Sequence, residues 1–141
     1  MSTTSSFFVF GAAVFTAVLL SVWVYQRRYR AEQAQRWAAI LGGSHAGRGR
    51  LAQVVTVYQN ARRGTKAILR WDSTGQRQDA WFEAMRVEPG QWLLLEGRDG
   101  YGWHHRTDCH YASPRQLLVS ADAAAPDCYR MAQRSREQRK A

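Results

Sequence analysis

The sequence predicts a single N-terminal transmembrane α-helix, then a small all-β domain of about six short strands in an SH3-like or OB-like barrel, and a short C-terminal helix. Three observations predict it. Residues 7–25, FFVFGAAVFTAVLLSVWVY, carry no charge. From Leu51 onward, apolar residues fall in short β-branched and aromatic runs divided by turn chemistry. After Pro126 the chain changes to helix formers and basic side chains.

The elements follow in order. Residues 1–6, MSTTSS, read as a disordered leader. At about 1.5 Å per residue, residues 7–25 are long enough as a helix to cross a hydrocarbon core of about 30 Å. Trp23 and Tyr25 stand where aromatic rings favour the headgroup level, and Arg27, Arg28 and Arg30 follow at once. A signal peptide is disfavoured, because the leader lacks a basic side chain and the apolar run ends in bulky residues. The positive flank then places the N-terminus outside and residues 27–141 in the cytoplasm, so the expected location is the inner (cytoplasmic) membrane. The preference for arginine over lysine suggests GC-rich, bacterial coding.

Residues 26–41 are rich in Ala, Gln and Arg and are expected to continue the helix out of the bilayer. Trp37, Ile40 and Leu41 form one apolar stripe on it, at i, i+3 and i+4. The stripe is a docking face for the chain's own domain or a partner helix, or a lipid contact together with Arg27, Arg28 and Arg30. Gly42 and Gly43 are expected to stop the helix, and residues 42–50, GGSHAGRGR, read as a basic, glycine-rich linker.

Residues 51–121 hold the runs LAQVVTVY, TKAILRW, DAWFEAMRV, QWLLLE, GWHHR and RQLLVS, separated by NARRG, DSTGQ, EPG, RDG and ASP. Such spacing predicts an antiparallel meander. Ala67, Leu69 and Trp71 share one face of their strand, with Lys66, Ile68 and Arg70 on the other. A tight turn at Asp99 and Gly100 pairs LLLEGR with YGWHHR, setting Leu95 opposite His104 and Leu94 opposite His105. Trp71, Trp81, Trp92 and Trp103 are assigned to the core, since each buried ring covers roughly 150–250 Å² in a domain short of apolar area. Residues 122–141 are read as the C-terminal helix and a basic tail.

The net charge of +9 is unevenly placed. Residues 27–50 hold six arginines and one glutamate, residues 51–129 nine basic and nine acidic side chains, and residues 130–141 five basic and one acidic. The basic character belongs to two arms that flank a balanced domain. A nucleic-acid partner is therefore not favoured, because it would want a basic face on the folded domain itself.

The stretch WHHRTDCHY, residues 103–111, is the chemical oddity. The best metal set it offers is His105, Cys109, His110 and Cys128, and it lacks the paired spacings of known zinc sites. Cys109 and Cys128 are expected as free thiols on the cytoplasmic side, and as a disulfide if the orientation is reversed. None of the common catalytic motifs occurs, so neither enzyme activity nor a cofactor is expected. The function the sequence supports is a single-pass, membrane-anchored interaction module, an accessory or assembly subunit of an integral membrane protein complex, with lipid contact through residues 7–30. Two alternatives are a metal or redox protein built on the His/Cys cluster, and an anionic-lipid or nucleic-acid binder that uses the basic arms.

Overall fold

Alanine and valine are the commonest residues in the first quarter of the chain and neither proline nor a run of glycine interrupts it, which permits one uninterrupted helix. In the computed structural model, which describes residues 3–97, 99–101 and 106–141, with side chains for 11–97 and 109–141, that helix is α1, Thr3–His45. It continues through Gly42 and Gly43. Among the described residues seven strands follow: β1 Arg50–Ala61, β2 Gly64–Trp71, β3 Arg77–Glu83, β4 Trp92–Leu95, β5 Asp99–Tyr101, β6 Arg106–Ala112 and β7 Leu117–Ala121. The last element is α2, Ala125–Gln138, with Pro126 in its first turn and Asp127 at its positive end.

Among the described residues, no helix is long and apolar enough to cross a membrane. This overturns the expected span at residues 7–25, and with it the inner-membrane placement and the orientation derived from the arginines. The uncharged run is not a separate element but part of a 43-residue helix whose C-terminal half packs on the domain. Beyond the run Gln26, Arg27, Arg28 and Arg30 lie on the same continuous rod.

The strands form one sheet in the order β5-β6-β3-β2-β1-β4-β7. All its pairs are antiparallel except β3 with β6, which is parallel. The expected closed antiparallel meander is therefore corrected to a mixed, open half-barrel with β5 and β7 as its edges. β1 is the long strand that bends the sheet: it pairs with β2 along most of its length and with β4 at its start, and its register shifts between Val54 and Thr56 and again between Val57 and Gln59. Such bulges increase local twist and curl. The curl brings the end of β6 close to the start of β7, so residues 113–116 join strands that stand far apart in the sheet order. Glu96 N–H donates to Gln116 O across this seam at 2.8 Å.

Among the described residues LLLEGR and YGWHHR are not paired with each other as expected. Leu95 pairs with Arg50 on one side and Leu117 on the other, while Asp99 pairs with His110 and Tyr101 with Arg106. A strand with neighbours on both edges has no free edge for a hairpin partner. His104, and the facing of His104 and His105, lie outside the described residues.

Alternation within the strands sorts the core into two layers. On the concave side Val54, Leu69, Trp71, Phe82, Leu93 and Leu95 pack together with small residues such as Ala52, Ala67 and Ala80. On the convex side Leu51, Leu94 and Ala121 meet Ile40 of α1 and Ala125 of α2. β4 is thus covered on both faces, which its uninterrupted WLLL run requires.

Candidate interaction surface

α1 has two halves with different surroundings. Its C-terminal half is held to the domain by side chains at one helical spacing, Tyr29, Gln33, Trp37 and Ile40. Ile40 is fully buried against Leu51, Leu94, Ala121 and Ala125. Trp37 meets Trp92 edge to face, with ring centroids 5.1 Å apart. Above this apolar contact lies a polar collar at the end of β7. Arg36 donates to Ser120 O at 3.1 Å and is neutralised by Glu32 at 2.7 Å. Asp122 N–H donates to Gln33 Oε1 at 2.9 Å, and Tyr29 Oη donates to Asp122 Oδ2 at 2.6 Å.

The Tyr29–Asp122 bond stabilises the neutral phenol, because ionisation would set an oxyanion against a carboxylate. The hydrogen bond to Asp122, helped by burial and by the Asp122 charge, pushes the Tyr29 pKa from 10.0 up to about 12. With the folded value above the unfolded one, this contribution is complete below pH 10.0 and is lost as pH rises to about 12. Tyr29→Phe is expected to lower stability at neutral pH by about 1 kcal/mol, the usual worth of one partly exposed hydrogen bond. It should also flatten the loss of stability across that alkaline window. Urea unfolding of both proteins over the window checks this, and parallel alkaline losses would count against the latch.

The N-terminal half leaves the domain behind. From residue 11 to residue 23 every side chain of α1 is exposed, and these include Val14, Phe15, Val18, Leu19, Leu20 and Trp23. Phe15 is 65% exposed and Leu20 61%, values typical of no large apolar residue in a finished interior. The hydroxyls of Thr16 and Ser21 bond back to Ala12 O and Ala17 O, both at 2.8 Å, so they need no outside partner. Small residues (Ala13, Ala17, Ser21) alternate along the rod with large ones, a relief into which the ridges of another helix can fit.

The other residues singled out in the sequence are dispersed. Trp71 and Trp81 are buried, Trp92 is half-buried beneath Trp37, and Trp103 lies outside the described residues. Trp71 is boxed in by three neighbours. Its indole N–H donates to Gln78 at 2.6 Å, the Arg50 guanidinium stacks 3.8 Å from its ring centroid, and His110 stands edge-on at 5.0 Å. His105 lies outside the described residues. Cys109 and His110 are consecutive on β6 and diverge to opposite faces, and Cys128 sits on α2; the two cysteines form no disulfide. Among the described residues no group of three or more His, Cys, Asp or Glu side chains is placed to hold a metal ion.

Sequence reasoning missed Tyr29, Gln33 and Asp122. The spacing of Tyr29, Gln33 and Trp37, four residues each, was a usable signal that the docking face extends beyond the apolar stripe. Comparison with family models, curated proteins and solved structures finds no match for this chain.

Proposed function

We propose that the protein is an interaction module, an accessory or assembly subunit of a larger complex, which holds a partner helix against the projecting half of α1. The exposure of Val14, Phe15, Val18, Leu19, Leu20 and Trp23 on a rod that its own domain does not cover carries this reading. A helix that is apolar all round is ordinarily a buried one, and a contiguous exposed patch of this kind marks an interaction site. The domain's part is to fix the rod's base. Ile40, the Trp37–Trp92 contact and the Tyr29–Asp122 latch hold α1 at a set angle, so that the upper half reaches the partner already ordered.

A photo-crosslinking side chain placed at Leu19 in the full chain, expressed in its native cells, is expected to give a discrete adduct with a different protein. The same group at Thr74, on an exposed turn remote from α1, should give none. Val18→Glu should reduce the Leu19 adduct at least about tenfold, because it sets a carboxylate into a contact that must be dry. Equal labelling from both positions, or an adduct containing only two copies of this chain, would overturn the reading.

A further inference from the structure

We infer that the protein carries a binding groove for an anionic phospholipid between α1 and α2, with the phosphate head among four arginines and the acyl chains along the Trp23 side of α1. The two basic arms, remote in sequence, meet in space. Arg27 and Arg30 of α1 face Arg136 and Arg139 of α2 across an open groove of about 480 Å³, whose remaining lining includes Met131 and Cys128. Among the described residues no carboxylate lines it.

Of the nearby acids, Glu32 is engaged with Arg36, Asp127 with Arg130 and Asp122 with Tyr29, while Glu137 of α2 is not part of the groove's lining. Among the described residues no salt bridge involves any of the four arginines. Four like charges around one groove repel one another unless an anion sits between them. Proximity to the C-terminal end of α2 offers Arg136 and Arg139 a favourable dipole, but Arg27 and Arg30 project from the middle of α1 and gain nothing from it.

Guanidinium groups match phosphate oxygens in paired hydrogen bonds. A simple anion would use only the rim. The thioether of Met131 and the buried Cys128 give the groove an apolar lining that suits the glycerol and first methylenes of a lipid. The route onward is continuous, because the Arg27 guanidinium stacks 5.3 Å from the Trp23 ring centroid and Trp23 opens onto the exposed apolar rod. Charge, aromatic ring and hydrocarbon therefore follow one another in the order in which a phospholipid presents them. The proposal shares Trp23 and the exposed rod with the partner-helix reading, but its head-group site is the α1–α2 junction, which the Val18 and Leu19 experiments do not touch.

The test uses the full chain and two vesicle preparations, dioleoylphosphatidylcholine alone and an equimolar mixture with dioleoylphosphatidylglycerol. The exposed rod gives both some affinity, so the quantity read is the preference for the anionic mixture. That preference is expected to be roughly several hundredfold at low salt and to fall about fivefold for each of the four arginines removed. Arg30→Gln with Arg136→Gln should lower it about 25-fold. Arg62→Gln with Arg63→Gln, the same charge change in an exposed turn remote from the groove, should leave it unchanged. Circular dichroism confirms the fold of each variant. Equal losses from the two double variants would show that net charge alone acts, and no preference between the vesicles would remove the site altogether. Inorganic phosphate that competes fully at low concentration would make it a simple anion site, and tighter binding of polyglutamate an acidic-protein site; either result overturns the lipid assignment.

Discussion

Gly64→Ala is expected to destabilise the domain by on the order of 3 kcal/mol, enough to unfold much of a small, marginally stable protein. The cause is local and steric. Gly64 opens β2 directly after the turn at Arg62 and Arg63, with φ at 155°, and it pairs with Ala61 on one side and Glu83 on the other. A Cβ built there would collide with Phe82 O and lie 3.1 Å from the Trp81 ring. The first of these atoms is backbone in a paired strand, so relief requires β3 to move away from β2 and Phe82 to leave the core. Gly75→Ala is the internal comparison. Its φ of 69° is also left-handed, but nothing lies within 4 Å of the added atom, so only the conformational strain of about 1 kcal/mol remains. Urea unfolding read by tryptophan fluorescence should show a large drop in midpoint for the first variant and a small one for the second. Similar midpoints would mean that β2 and β3 do not approach as closely as described.

Much of the domain was legible because burial alternates with residue number. Ala67, Leu69 and Trp71 fall on the buried face of β2, as the sequence indicates, and Lys66, Ile68 and Arg70 on the more exposed one. The burial of Ile40 was legible for the same reason, since its spacing from Trp37 and Leu41 marks one helical face. Pairing across long distances was not. The parallel contact of β3 with β6 depends on the whole sheet curling, and no residue in either strand announces it. The uninterrupted WLLL of β4 signals cover on both faces, but it does not say that β1 and β7 flank it in place of β5. At α1 an unbroken run of uncharged residues was read as a membrane span, although that run is part of a longer helix whose remainder belongs to the domain. The meeting of the two basic arms was hidden in the same way, because segment charges can be read in order while the return of α2 onto α1 cannot.

The two-layer core leads to the second large expectation, which concerns Phe82 and Ile40. Phe82 is fully buried on the concave side, and Phe82→Ala should cost about 3–5 kcal/mol through lost transfer energy and an unfilled cavity. Ile40 is equally buried on the convex side, where Ile40→Ala should cost about 2–4 kcal/mol and loosen α1 from β4, β7 and α2. The sheet backbone separates the two sites. Leu93 and Leu95 serve the first cluster and Leu94 the second, so neither cavity can be filled by a side chain from the other layer. The double variant should therefore lose the sum of the single losses to within about 0.5 kcal/mol. Because that sum threatens folding, Phe82→Leu and Ile40→Val provide a gentler cycle with the same logic, each costing about 1 kcal/mol. A coupling larger than the single effects would mean that the two clusters form one continuous core, and that α1 is not a separate layer laid on a finished sheet. Additivity would leave the base of α1 adjustable without disturbing the half-barrel, which is the property a module needs if the angle of its projecting helix decides which partner it holds.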